Sequence, residues 1–395
     1  MATHQPIVKE LINLLTKGKD WKTQLKAAIQ EANEKAASEL SKEQFARYQR
    51  PPVSTLNEYY DYLDWFVTWG PQEIDYDNSA CAAHLSVQYN KEVFFQLCRF
   101  YWILDQPSGR LLQKQKAFRN WMVDFANDWG NFLNTPESFN EESLDSFIND
   151  PDFKMDQYMM PPKAYTPRGK TSKANGPSGW LTFNQFFARE MNPGLRPVAG
   201  MFEDSIIVSP ADSTFKSKFN IDDDSEVTIK YTHTYNIETL LDGSPYKDRF
   251  RKGLFMHSFL GPNDYHRFHA PVRGTVLESR AIQERVFLDV VITDGEFDAP
   301  DGAENGYEFV QTRGVLILDS PIGLVAVIPI GMAQVSSVNM PAVEGSYLNK
   351  GDEFGYFLFG GSDIIMLFEA SSNVTVNAAP TIHYNSGMCI GEVIK

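Results

Sequence analysis

Between residues 161 and 179 the chain changes character. The run Pro161-Pro162-Lys163-Ala164-Tyr165-Thr166-Pro167-Arg168-Gly169-Lys170, continued through Gly176-Pro177-Ser178-Gly179, is too rich in Pro, Gly and Ser to carry on a helix or a central strand. Apolar residues ahead of it recur at helical steps, and those behind it come in short β-branched runs, so the two sides must fold as different kinds of unit. At 395 residues, two domains is also the natural count. The expected fold class is α+β: an all-α extension over 1–160, a linker over 161–179, and a mainly antiparallel β domain over 180–395.

In the first part, Tyr60, Leu63, Phe66 and Val67 are spaced three and four apart within Tyr59 to Trp69, and Val93 to Leu104 and Ala117 to Phe132 are apolar on one face. Three to six helices in one bundle-like domain are expected, with a first helix from about Ile7 to Glu39. The aromatic stripe Phe94, Phe95, Phe100, Tyr101 and Trp102 reads as core. In the second part, strands are expected at Phe255 to Leu260, Gly274 to Glu278, Phe287 to Ile292, Phe309 to Leu318, Leu324 to Ile330 and Ile364 to Phe368. The acidic, Gly-rich stretch Thr293 to Gly306 reads as a solvated loop too long for a hairpin turn. As a rim over a pocket it would repel a phosphodiester, and Phe297 or Tyr307 would be the substrate-binding contacts to an apolar side chain.

A formal charge of −15, from 36 basic and 51 acidic residues, disfavours nucleic acid and anionic membranes. No stretch approaches the roughly twenty apolar residues of a spanning helix. The N-terminus Met1-Ala2-Thr3-His4-Gln5-Pro6 has no signal-peptide pattern. Lys9, Lys17, Lys19, Lys22 and Lys26 are interleaved with acids, as on a solvated helix face. Cys81, Cys98 and Cys389 form no CxxC pair and no zinc pattern, so the expectation is a cytoplasmic protein with neither disulfides nor metal.

The chemistry is concentrated in three places. In Phe359-Gly360-Gly361-Ser362, Gly361 lacks a side chain, so a neighbouring hydroxyl can reach its carbonyl carbon, and Ser362 supplies that hydroxyl. Attack would give an ester, β-elimination would free the upstream chain and leave a dehydroalanine, and its imine tautomer would hydrolyse, losing ammonia, to a pyruvoyl group. A Gly-Gly-Ser tripeptide alone is usually a turn. Upstream, Asp264-Tyr265-His266-Arg267-Phe268-His269 places two imidazoles three residues apart, enough for two proton transfers, for a metal site or for two core residues. Asp212, in Ser209-Pro210-Ala211-Asp212-Ser213, could orient an imidazole or simply form a turn.

Taken together, these runs resemble the phosphatidylserine decarboxylase family of pyruvoyl enzymes. The resemblance rests on Phe183-Asn184-Gln185-Phe186-Phe187-Ala188-Arg189 running on to Arg196-Pro197, then Pro210-Ala211-Asp212, then Asp264 to His269, then Lys350-Gly351-Asp352-Glu353-Phe354-Gly355 leading to Gly361-Ser362. It implies that Asp212 and His269 activate Ser362 for self-cleavage. Ser362 then becomes the pyruvoyl cofactor, an electron sink for decarboxylation. His266 would be the acid of that step, with a pKa near the working pH. Family members commonly carry Thr after the serine. Here it is Asp363, whose carboxylate could alter hydration at the new terminus.

The helical extension resembles that of soluble members acting on free amino acids. The implied substrate is therefore a free amino acid with a bulky apolar or aromatic side chain, such as tryptophan, phenylalanine, tyrosine or methionine, with phosphatidylserine as the alternative. The cleaved chains 1–361 and 362–395 are expected to stay associated. A homodimer is the assembly the resemblance implies, with the extension competing for the same surface. His269 to Val276 and Val343 to Glu353 also echo the barrel-sandwich of biotinyl and lipoyl carriers, but no Lys stands at a hairpin tip between matching half-motifs.

Overall fold

The computed structural model describes residues 4–73, 92–148, 150–159, 180–229, 233–299, 309–331, 337–359 and 362–394. They fall into two compact units that do not follow the sequence linearly. One takes in the described residues of 1–151, 180–183 and 285–299; the other takes in those of 152–159, 184–284 and 309–394. The expected boundary near residue 180 is therefore crossed by a segment from the middle of the β region.

The first unit is built on α1 (Pro6–Lys17), α2 (Trp21–Glu39), α3 (Lys42–Tyr48), α4 (Leu56–Phe66), α5 (Glu92–Leu104), α6 (Pro107–Gln113), α7 (Lys116–Leu133) and α8 (Glu141–Ile148). That is more helices than expected, partly because the anticipated 7–39 helix is two. The break lies at Gly18, which is extended, and Asp20, at φ 66°. A Cβ at Gly18 would stand 1.9 Å from the Trp21 indole, so the tight reversal requires glycine there. Local chemistry sets other ends: Pro6 opens α1, and Thr55 with Glu58 forms a capping box on α4. The buried faces converge on an aromatic core in which Trp69 and Trp129 stack at 5.9 Å and Phe66 packs on Phe100 and Phe125. Of the expected stripe, Phe95, Phe100, Tyr101 and Trp102 are buried.

The second unit contains α9 (Phe183–Phe187, from Asn184 onward), α10 (Ile237–Leu240) and most of the strands. In chain order the strands are β1 (Ile206–Val208), β2 (Ser213–Asn220), β3 (Glu226–Ile229), β4 (His233–Asn236), β5 (Leu254–Leu260), β6 (Arg267–His269), β7 (Gly274–Ile282), β8 (Val291–Thr293) and β9 (Glu296–Asp298). They continue with β10 (Arg313–Ser320), β11 (Gly323–Gly331), β12 (Val338–Asn339), β13 (Tyr347–Leu348), β14 (Glu353–Phe357), β15 (Ser362–Phe368), β16 (Val374–Val376), β17 (His383–Tyr384) and β18 (Cys389–Val393). An eight-stranded antiparallel sheet runs β13-β7-β10-β11-β15-β5-β2-β17, beside the three-stranded sheets β12-β14-β6 and β1-β18-β16. The α+β class is as expected. Two strand expectations shift: Phe287 to Val290 carries no strand, and the run from Phe309 enters a strand only at Arg313.

In the large sheet, β10 and β11 are buried along nearly their whole length, as their unbroken apolar runs require. Val315, Ile317, Ala326, Ile328, Ile365 and Leu367 form the centre of the main apolar core.

The first part of the acidic stretch, residues 293–299, departs from its reading as an open loop, and 300–306 lie outside the described residues. β8 and β9 form a hairpin whose two turn residues, Asp294 and Gly295, lie at φ 52° and 82°, the pattern that an Asp-Gly turn supports. This hairpin belongs to the helical unit. The Gly295 carbonyl accepts from the Ser41 N–H at 2.8 Å, and Phe297, only 2% exposed, is ringed by Tyr48, Phe95 and Trp102 at 5.4–6.0 Å. Phe297 is thus a core residue of the helical unit, not a rim contact. Tyr307 lies outside the described residues.

Candidate active site

The site grows from α9. Its short sequence projects Asn184 and Phe187 into the β unit, with Arg189 just beyond. The Phe187 ring lies 4.1 Å from the His266 ring and 5.2 Å from Phe359, and Asn184 Oδ1 accepts from the Phe359 N–H at 3.3 Å. One helix end therefore holds both the histidine and the chain just ahead of Gly360-Gly361, two residues that lie outside the described ones.

His266 sits on a loop closed by Asp264. That carboxylate accepts from the Gly261 N–H at 2.8 Å and pairs with His383 Nε2 at 3.0 Å, an ion-pair geometry that raises the His383 pKa. The Asp264 carbonyl faces His266 Nδ1 at 2.7 Å. A carbonyl only accepts, so Nδ1 carries the proton and Nε2 the lone pair. Nε2 is buried and has no hydrogen-bond partner among the described residues. Burial, reinforced by the Arg189 guanidinium, pushes the His266 pKa down to about 3. The expectation of a pKa near the working pH is corrected: at neutral pH His266 is an uncharged acceptor.

His269 is held the same way. Its Nδ1 donates to the Gly351 carbonyl at 2.9 Å, and its Nε2 accepts from the Tyr265 hydroxyl at 3.2 Å. Gly351 reaches this position at φ +87°, where a Cβ would also strike Val198 Cγ2 at 2.5 Å. Burial lowers the His269 pKa as well. The His269 N–H bonds the Pro210 carbonyl at 2.7 Å, which ties the Pro210-Ala211-Asp212 run to the histidine loop.

Asp212 is buried beside them, but its partners are others. Arg196 Nε donates to its two oxygens at 2.8 and 3.0 Å, Arg196 Nη2 also contacts Oδ2, and the Ser386 N–H donates at 2.8 Å. No hydrogen bond joins Asp212 to His269 or His266 among the described residues. The Asp-His pairing imagined from the sequence is replaced by Asp212–Arg196 and His269–Gly351.

Ser362 opens β15, its backbone opposite Leu260 of β5 and Gly331 of β11. Leu260 leads directly into the Asp264 turn, and Phe357, on the other side of the Gly-Gly pair, donates its N–H to the His266 carbonyl at 2.9 Å. Both approaches to Ser362 are therefore anchored to the His266 loop. Asp363 is fully buried and bonded to His257, so its carboxylate is turned away from solvent.

A family profile described as phosphatidylserine decarboxylase matches residues 183–392, more than half of the chain. The chain belongs to the phosphatidylserine decarboxylase family. Among similar proteins, phosphatidylserine decarboxylase proenzyme 2 of Oryza sativa subsp. japonica is 35% identical over 191 residues, 48% of this chain and 29% of that protein. A phosphatidylserine decarboxylase proenzyme of Fusobacterium nucleatum is 29% identical over 254 residues, covering 63% of this chain and 75% of its own. An L-tryptophan decarboxylase of Psilocybe cubensis is 28% identical over 202 residues, 48% of this chain and 46% of its own. The matched part of the chain thus spans less than a third of the rice protein and 19% of proenzyme 3 of Schizosaccharomyces pombe.

Enzymes of this family are carboxy-lyases that use a pyruvoyl group made from a serine. The residues present fit such a group: a serine at the head of an interior strand, and an orphaned, buried imidazole nitrogen on the loop that anchors the chain on both sides of it. Sequence reasoning gave no role to Arg196, Tyr265, Asn184, Phe187 or Gly351, although all lie inside the quoted motifs. Their membership of those runs was the available signal.

Proposed function

We propose that this chain is a pyruvoyl-dependent decarboxylase matured by serinolysis at Gly361-Ser362. The observation that carries the reading is the unpartnered Nε2 of His266, buried on the loop that brackets the start of β15. Asp212 and His269 are the maturation residues and Ser362 the source of the cofactor, which supplies an electron sink for the carboxylate's bonding pair. His266 Nε2, neutral and acceptor-only, can hold a proton only transiently, as its depressed pKa requires. As imidazolium it is then the acid that returns a proton to the α-carbon after carbon dioxide has left. Phe187 and the Asp264 carbonyl hold the ring in the orientation this requires.

Residues 362–395 contribute β15, an interior strand between β11 and β5. On this reading the two chains stay together after cleavage, because separating them would open the sheet on both sides. His269 to Val276 and Val343 to Glu353 are read as barrel-sandwich elements, and a cytoplasmic location is part of the same proposal.

The substrate proposed is a free amino acid with a bulky apolar or aromatic side chain. It is supported by the helical unit ahead of the matched region and by the likeness to the Psilocybe L-tryptophan decarboxylase. No described helix is long and apolar enough to cross a membrane. Phosphatidylserine is the second reading, favoured by the names of the rice and Fusobacterium relatives. Intact-mass spectrometry with borohydride trapping, against tryptophan, phenylalanine, tyrosine, methionine and phosphatidylserine vesicles, separates them. A cleaved small chain that gains the mass of an amino acid or of its decarboxylated amine, less one oxygen, supports the first reading; one trapped only by the lipid replaces it with the second; a full-mass chain that traps nothing refutes both.

A further inference from the structure

The side chains that β15 turns into the main core begin with a charged residue. Asp363, Ile365 and Leu367 share one face of the strand, and the last two belong to the central apolar cluster. Asp363 Oδ1 meets His257 Nε2 of the neighbouring β5 at 2.9 Å, with both side chains fully buried. The contact is diagonal: Asp363 lies opposite Phe259, and His257 opposite Ile365. The second oxygen of Asp363 is also buried and has no hydrogen-bond partner among the described residues.

As a source of stability this pair is a poor choice, since two aliphatic side chains would fill the space without desolvating polar groups. What it adds is direction. A slip of one residue would turn Asp363 out of the core and break the bond, so the pair specifies one register for the start of β15. That matters if Asp363 becomes the second residue of a new chain, because new ends fray and a reactive terminus must not.

We propose that the buried His257–Asp363 pair is a positioning device for the mature terminus, holding residue 362 in register between β5 and β11 once the bond to Gly361 is gone. The inference rests on the decarboxylase reading above. His257 and Asp363 act through the backbone at 362 and need not touch substrate. The directional bond replaces the covalent tether that cleavage removes.

The test compares wild type with His257→Leu/Asp363→Val, an apolar pair expected to fold with an unchanged or higher Tm, and with Asp363→Asn, which keeps the hydrogen bond to His257. Intact mass gives the cleaved fraction. Amide exchange in the mature protein gives the opening of residues 363–365. Steady-state kinetics are expressed per cleaved chain. The double variant is expected to cleave, to exchange at least tenfold faster at the strand start, and to lose at least tenfold in kcat with KM within threefold; Asp363→Asn is expected to stay within threefold of wild type in all three. A stable, cleaved double variant with wild-type exchange and kcat would overturn the inference and leave the decarboxylase reading intact. If the double variant fails to fold, His257→Gln, which retains a donor for Asp363, is compared with His257→Ala; equal exchange and kcat in these two would overturn the inference as well. A wild-type chain that remains at full mass would refute the decarboxylase reading, and this inference with it.

Discussion

At the scale of single residues, the motifs mark the candidate groups and conceal their partners. His266, His269, Asp212 and Ser362 stand out as candidates through the motifs in which they lie. The partners that set their states are backbone atoms far away in sequence or buried aromatic rings, such as the Gly351 carbonyl on His269 and Phe187 against His266. The depressed His266 pKa follows from complete burial, which no local pattern announces. Ser362→Ala should leave one chain of full mass, and continued cleavage at that bond would remove Ser362 as cofactor source. His269→Ala should slow or block maturation. His266→Ala should mature and then lose about 10²–10⁴-fold in turnover, the usual span for a lost acid-base group; exchanged phenotypes would reverse the two roles. The His266 pKa also has a stability signature. Because it is about 3 in the folded chain and ordinary when unfolded, the unfolded state binds the extra proton as pH falls from about 6.5 toward 3. Stability should fall through that window by up to about 1.4 kcal/mol per pH unit from this group alone. Urea melts of wild type and His266→Gln between those pH values should diverge accordingly, and parallel curves would contradict the burial of the ring.

At the scale of elements, long periodic segments were legible, and segments whose environment is supplied from elsewhere were not. Helices α4, α5 and α7 and strands β5, β11 and β15 appear close to where period and β-branching place them. The expected 7–39 helix breaks where Gly18 is extended and Asp20 is left-handed, with no room for a Cβ at Gly18 beside the Trp21 indole. Residues 293–299 have the composition of a loop, while the signal that places them is the Asp294-Gly295 pair at the tip of a short hairpin. Two substitutions separate the turn from the core contact. Gly295→Ala should cost about 1–2 kcal/mol from its left-handed backbone alone. Phe297→Ala should cost about 3–5 kcal/mol as a buried aromatic deletion. Denaturant titration of the full chain reads both, and a Phe297→Ala loss below that of Gly295→Ala would mean that the ring is not the anchor of the hairpin.

At the scale of the whole molecule, composition correctly separated a helical part from a β part but could not reveal that residues 285–299 leave the β region to join the helices. Linear reading assigns every residue to the stretch that surrounds it, whereas burial assigns Phe297 to Tyr48, Phe95 and Trp102. This changes what truncation can test. Removing residues 1–151 to ask whether the extension selects the substrate would also strip the cover from Phe297, Val290 and Leu288, which are buried in the intact chain. A chain beginning at residue 152 should therefore aggregate or melt at lower temperature than the full protein. Replacing 286–299 with a short Gly-Ser linker in that same truncation should raise its solubility and melting temperature, because Leu288, Val290 and Phe297 are then gone while Trp180 and Phe183 remain. Size-exclusion chromatography and thermal melts of the two truncated chains give the answer. Equal solubility and Tm for both would show that the hairpin does not depend on the helices, whereas rescue by the linker supplies the chain on which the extension's part in substrate choice can be measured.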